Sequence, residues 1–194
     1  MPMFHAGNRE IQAMFGSTAL ADRLVERLHR VRLTDDDRDF IHSLDCFFLA
    51  TSTSEGQPDC SFKGGAPGFV RVVEPDQLVW PDYDGNGMFK SIGNIRANGH
   101  VGLLFIRMGD NPKRLRVNGV AYVSFDDPLM TEFPGAQALV KVTPTDIFPN
   151  CPRYIPDPMA GRASPYTPKA GAAPLEPKWK SMDMFHDVVP PRKA

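Results

Sequence analysis

Apolar positions 20, 24, 25 and 28 of STALADRLVERLHR (17–30) share one face at three-to-four spacing, which predicts a helix that Ser17 or Thr18 can cap. A second helix is predicted over 34–44. Thr34 caps it, Asp35, Asp36 and Asp37 fill its electropositive first turn, and Phe40, Ile41 and Leu44 face inward. From residue 46 the pattern becomes that of strands. CFFLATST (46–53) is followed by the turn residues 54–57, then by PDCSFKG (58–64), FVRVVE (69–74) and QLVWPDY (77–83). HVGLLFIR (100–107) is continuously apolar, as expected of a strand covered on both faces. KRLRVNGVAYVSF (113–125) alternates, with Asn118-Gly119 predicting a bulge, and AQALVKVT (136–143) ends the series. Five or six turn-bounded strands with one short helix among them predict a mainly β fold, an antiparallel barrel with flanking helices.

Residues 144–177 carry Pro144, Pro149, Pro152, Pro156, Pro158, Pro165, Pro168, Pro174 and Pro177, a density that predicts neither regular helix nor sheet. The segment reads as an extended arm. Trp179, Met182, Met184 and Phe185 near the end predict that the tail docks on a surface. The expected organisation is an N-terminal helical arm over 1–33, a barrel domain over 34–148 and a proline-rich arm over 149–194 that packs on the barrel or on a partner subunit.

Composition narrows the function. A net charge of −1 and the lack of any basic run argue against nucleic acid or an anionic membrane surface as partner. Cys46, Cys60 and Cys151 are too few and too widely spaced for a disulfide framework or a metal knuckle. Cys151 reads as a small buried hydrophobe before it reads as a reactive thiol. The five histidines form no metal-ligand pair. With no signal-peptide core and no long apolar stretch, the expected location is the cytoplasm.

The loop PDYDGNGMFKSIGN (81–94) holds the main chemical question. Asp82, Asp84, Asn86 and Gly87 match the start of a calcium loop, but position twelve, where a bidentate Glu belongs, is Gly93, and the preceding segment is a strand. Phe89, Ile92 and Ile95 recur every third residue, so the loop leads into a short helix. Its N-terminus offers free amides, Lys90 a charge and Ser91 a hydroxyl, which suits an anion; a plain strand-to-helix corner with a surface lysine is the alternative. In CSFKGG (60–65), Ser61 and Lys63 share one face of a strand if Phe62 faces the core, and the glycines admit a flat ligand. Together these residues suit a phosphorylated planar cofactor. Arg114 reads as a solvated barrel residue, whereas for Arg116 that reading and cofactor contact both stay open.

The order CFFLATSTSEGQPDCSFKGGAPGFV, VWPDYDGNGMFKSIGNIRANGHVGLLFI, RLRVNGVAYV resembles the pyridoxamine 5′-phosphate oxidase-like family of FMN-binding split barrels, and FPNCPRYI (148–155) resembles a segment of one of its subgroups. The resemblance implies a six-stranded antiparallel split barrel, a homodimer, and FMN at the subunit interface. It places Ser61 and Lys63 facing the flavin and its phosphate, Lys90 and Ser91 on the phosphate, Met88 and Phe89 beside the ribityl chain or ring, and Asn94 as a further polar contact. Arg116 and Arg153 become candidates for closing the pocket from the partner subunit. The strand PDCSFK lacks the arginine that precedes the phosphate lysine in the true oxidase, and the C-terminal arm has no counterpart there. FMN binding therefore transfers better than vitamin B6 oxidation. The substrate stays open, as do three alternatives: a split barrel using the deazaflavin F420 or haem, an FMN-binding stress or sensor protein without turnover, and a cofactor-free dimeric binding module.

Overall fold

The computed structural model of the protein describes residues 3–167 and 175–191, so Pro168 and Pro174 of the predicted arm lie outside the described residues. The chain divides into two compact units: Arg30–Arg107 with Pro112–Asn150, and Met1–His29 with Met108–Asn111 and Cys151–Ala194.

The first unit opens with the helix Asp35–His42, which we number α3 after two helices of the other unit. Thr34 and Asp37 cap it reciprocally: the Asp37 amide donates to Thr34 Oγ1 at 3.2 Å and the Thr34 amide to Asp37 Oδ2 at 3.0 Å. Seven strands follow: β1 (Cys46–Ser52), β2 (Pro58–Gly64), β3 (Arg71–Glu74), β4 (Gln77–Tyr83), β5 (His100–Arg107), β6 (Lys113–Ser124) and β7 (Ala136–Pro149). The helix α4 (Lys90–Ala97) lies between β4 and β5. All strand pairs are antiparallel, in the order β2-β1-β5-β6-β7-β4-β3. The sheet therefore has seven strands where six were expected, and β2 and β3 are its edges.

The sheet curls strongly. β1 and β4 are four strand spacings apart, about 19 Å if flat. Yet the fully buried rings of Phe47 on β1 and Trp80 on β4 meet edge to face with centroids 5.2 Å apart. Phe69 and Phe105 pack on the same Phe47 ring, at 5.9 and 5.3 Å. Ile92 and Ile95 of α4 join this core, whereas Phe89, the first residue of the three-residue spacing read from the sequence, is the exposed N-cap.

β7 corrects one expectation. Prolines 144 and 149 do not end the sheet; β7 runs through both, with Pro144 opposite Gly119 and Pro149 opposite Leu115. The register shifts at the predicted Asn118-Gly119 position, which leaves Thr145 as an extra residue of β7 beside Pro144, and a bulge is where a sheet accepts proline; Pro149 is the last residue of the strand. Gly119 is required there, because a Cβ would sit 2.5 Å from the Thr143 carbonyl oxygen.

In the second unit, α1 (Ala6–Met14) is capped by His5 and α2 covers Thr18–Leu28. Tail residues 175–191 carry a 3₁₀ turn, Lys178–Ser181. Trp179 meets the buried Phe185 edge to face at 5.8 Å. Arg23 of α2 donates to Asp187 at 3.2 Å and to the Met184 carbonyl at 3.0 Å, so the tail docks on a helix of its own unit.

Candidate functional site

Curling leaves an opening near β2, one edge of the sheet. The core-facing side of β2, the end of β4 and the start of α4 enclose a cleft of about 540 Å³ there, within the usual range of small-molecule sites.

The loop joining β4 to α4 turns on Gly87 at φ 74° and Phe89 at φ 48°. The left-handed region costs a residue with a side chain about 1–2 kcal/mol, so Phe89 is held there by its surroundings. Phe89 is the N-cap of α4 and supplies no side-chain cap. The first helical bond is donated by the Gly93 amide to the Phe89 carbonyl at 2.8 Å, which leaves the amides of Lys90, Ser91 and Ile92 ahead of it. An eight-residue helix thus presents an uncapped, electropositive N-terminus to the cleft.

Two side-chain pairs stand across this space. Ser61 Oγ of β2 and Ser91 Oγ of α4 are 3.1 Å apart, and Ser91 is buried. Lys63 Nζ of β2 and Asp82 Oδ1 of β4 are 3.8 Å apart. Burial pushes the Asp82 carboxyl above its ordinary range, and the Lys63 ammonium partly offsets that. Lys90 is exposed.

Six of the predicted site residues therefore line one cleft: Ser61, Lys63, Met88, Phe89, Lys90 and Ser91. Asn94 lies a turn further along α4, where its Nδ2 donates to the buried Thr51 Oγ1 at 3.0 Å and ties the helix to β1. Arg116 is exposed on β6, between Leu104 and Phe148 in the sheet register. Arg153 belongs to the second unit, its guanidinium carbon 5.8 Å from the Tyr154 ring centroid.

Phe62 corrects the premise on which Ser61 and Lys63 were placed. It does not face the core: it is 64% exposed and packs edge to face on Phe48 at 6.0 Å. Ser61 and Lys63 still share a face, the inner one, opposite Leu49 and Phe47 of β1. The residue that sequence reading missed is Asp82, taken there only as a calcium-loop position. Leu78, Trp80 and Asp82 alternate along β4, so the two-residue period that buries Trp80 also turns Asp82 inward. The other calcium-loop oxygens go elsewhere. Asp84 Oδ1 accepts from Gln137 Nε2 at 3.1 Å, and Asn86 Oδ1 from the Met88 amide at 3.0 Å. Among the described residues no three His, Cys, Asp or Glu side chains are grouped to hold a metal ion.

Comparison with known proteins places this architecture. No curated protein matches the chain. Among solved structures, a candidate pyridoxamine 5′-phosphate oxidase of Lactobacillus delbrueckii is 21% identical, with a TM-score of 0.48 over 61% of this chain and 95% of the other. HutZ, the haem-storage protein of Vibrio cholerae, is 19% identical, with a TM-score of 0.42 over 58% and 90%. An F420 reductase is 18% identical, with a TM-score of 0.43 over 57% and 94%. Likeness at this level names no ligand for this chain. The model of the pyridoxamine 5′-phosphate oxidase family, by contrast, matches residues 33–151, more than half of the sequence and nearly all of the sheet unit, and the chain belongs to that family.

Proposed function

We propose that the chain binds FMN in this cleft and acts as a flavin-dependent oxidoreductase on a substrate yet to be identified. The observation that carries the reading is the uncapped N-terminus of α4, with Lys90 beside it and the Ser61–Ser91 hydroxyl pair 3.1 Å apart in the same cleft. A phosphate is the ligand group that free amides, hydroxyls and a lysine satisfy together. Met88 and Phe89, 70% and 52% exposed at the rim, give an isoalloxazine ring apolar surface to lie on.

When bound, the flavin would supply hydride or electron transfer. The chain's own residues would bind and orient it: Ser61, Ser91 and Lys90 at the phosphate, Lys63 deeper in the cleft, and Asn94 holding α4 against β1. No side chain needs to act as acid or base in the flavin's own redox step, so none is assigned as catalytic.

The reading includes a homodimer with the cofactor at the subunit interface, Arg116 and Arg153 approaching from the partner. Its support is an outward row across five strands, Phe62, Phe48, Leu104, Arg116 and Phe148, in continuous register. An exposed Phe62 at the end of such a row is what an interface would cover.

The absorption spectrum of the purified protein tests the cofactor. Bands near about 370 and 450 nm are expected of a bound oxidised flavin. A deazaflavin or haem spectrum in their place would replace FMN with that cofactor. Bleaching by NAD(P)H then distinguishes an oxidoreductase from a passive FMN-binding protein.

A further inference from the structure

Lys63 and Asp82 face one another inside the cleft at 3.8 Å, with side chains only 23% and 13% exposed. That distance makes an ion pair but not a hydrogen bond. Among the described residues neither group has a hydrogen-bond partner: only burial and the charge of Lys63 act on the Asp82 carboxyl. An ammonium with three donor protons and a carboxylate with two acceptor oxygens thus stand side by side on the wall of the cleft. A ligand edge that meets both offers one acceptor and one donor next to each other.

A ring lactam or imide offers that edge. With C=O near 1.23 Å and C–N near 1.33 Å, its oxygen and ring nitrogen lie about 2.2 Å apart. Two hydrogen bonds of ordinary length reach partners 3.8 Å apart if each tilts outward by roughly 15°. The pyrimidine half of an isoalloxazine carries such an edge, N3–H flanked by two carbonyls. Haem carries no such edge. The position along β2 also fits. Ser61 and Lys63 are two residues apart on one face, about 7 Å, so the serine pair and the Lys63–Asp82 pair address different ends of a ligand.

We infer that Asp82 is a specificity-determining residue of this cleft: its carboxylate accepts the imide N–H of a flavin-type ring while Lys63 donates to the adjacent carbonyl. The inference rests on the proposed FMN reading and deepens it. It also explains why a carboxylate stands in a site that otherwise favours anions.

The test compares FMN with FMN methylated at N3, titrated by flavin fluorescence against the parent protein and Asp82→Ala. A hydrogen bond to a charged group corresponds to about tenfold or more in affinity. The parent should therefore prefer FMN over the N3-methyl analogue on the order of tenfold, and Asp82→Ala should bring that ratio close to one. Because the ratio is taken on one variant, general loosening of the fold cancels. Asp82→Val, which suits a strand and has no acceptor, serves as the second variant if the alanine protein does not fold. Equal binding of both flavins by the parent, or an undiminished preference in the variants, overturns the assignment of Asp82 alone. Failure of the parent to bind FMN at all overturns the cofactor reading and this assignment together.

Discussion

Replacing Lys90 by alanine removes a full positive charge from the start of α4 and leaves the helix amides in place. Its effect on FMN binding can be bounded from the structure. A charge-assisted contact to phosphate is worth about 1.5–3 kcal/mol. Lys90 is exposed, so solvent screening puts it at the low end of that range. The Ser61–Ser91 pair remains, as do the amides ahead of the Gly93–Phe89 bond. Lys90→Ala should therefore raise the FMN dissociation constant about tenfold without abolishing binding. Riboflavin, which lacks the phosphate, should bind parent and variant alike. Lys63→Ala should cost tenfold or more for a different reason: it removes the ammonium that, beside Asp82, would donate to the ring carbonyl. Fluorescence titration at two salt concentrations reads both effects, and the Lys90→Ala penalty should shrink at high salt. Unchanged FMN affinity in Lys90→Ala would remove the phosphate from the start of α4, and unchanged affinity in Lys63→Ala as well would remove FMN from this cleft.

The same substitution at two glycines should act with opposite sign. Gly119→Ala sets a Cβ 2.5 Å from the Thr143 carbonyl oxygen and 2.8 Å from Val142 Cγ1, overpacking that costs about 1–3 kcal/mol and lowers Tm by roughly 2–12 °C. Gly93→Ala, within α4 and with nothing inside 4 Å of the new Cβ, should raise Tm slightly, by about 0.4–1 kcal/mol of stability, and calorimetry showing both neutral would refute the packing described for β6 and β7. Stability should also fall on mild acidification through His42, whose Nε2 accepts from the Val72 amide at 3.1 Å. Burial first, then Arg38 and Arg71, hold its pKa below the ordinary 6.5, so below that value the unfolded chain takes up a proton that the native chain refuses. The loss should begin near pH 6.5, continue down to the native pKa and vanish in His42→Gln; a melting temperature flat over that interval in the parent would count against the bond. Sedimentation should give a dimer that weakens, together with FMN affinity, on truncation after Pro149, whereas a flavin-saturated monomer would defeat the subunit-interface reading.

Much of the sheet was legible because its signals are local. β2, β4 and β5 begin and end where their strand-forming runs predicted, although β5 buries only Val101, Leu103 and Phe105 on one face where both faces were expected to be covered, and Asn118-Gly119 marked the place of the bulge. Thr34 and the three aspartates after it announced α3, since capping involves only residues three positions apart. The cleft residues on β2 and α4 were also readable one segment at a time: a lysine and serine on a strand, a lysine and serine at a helix start. What the chain by itself could not say was which strands are neighbours. Register between β1 and β2 decides that Phe62 looks outward, and a two-residue period cannot choose the side on its own. Prolines 144 and 149 forbade a strand by composition; a bulge on β7 itself, at Thr145, accommodates the first, and the second is the last residue of the strand. The pairing of Lys63 with Asp82, nineteen positions apart in sequence by number, exists only because the curled sheet brings β2 opposite β4. Local sequence determined which elements form and which face of each could carry charge. Burial of Phe47 against Trp80, a contact between strands four places apart in the sheet, decided which charges meet.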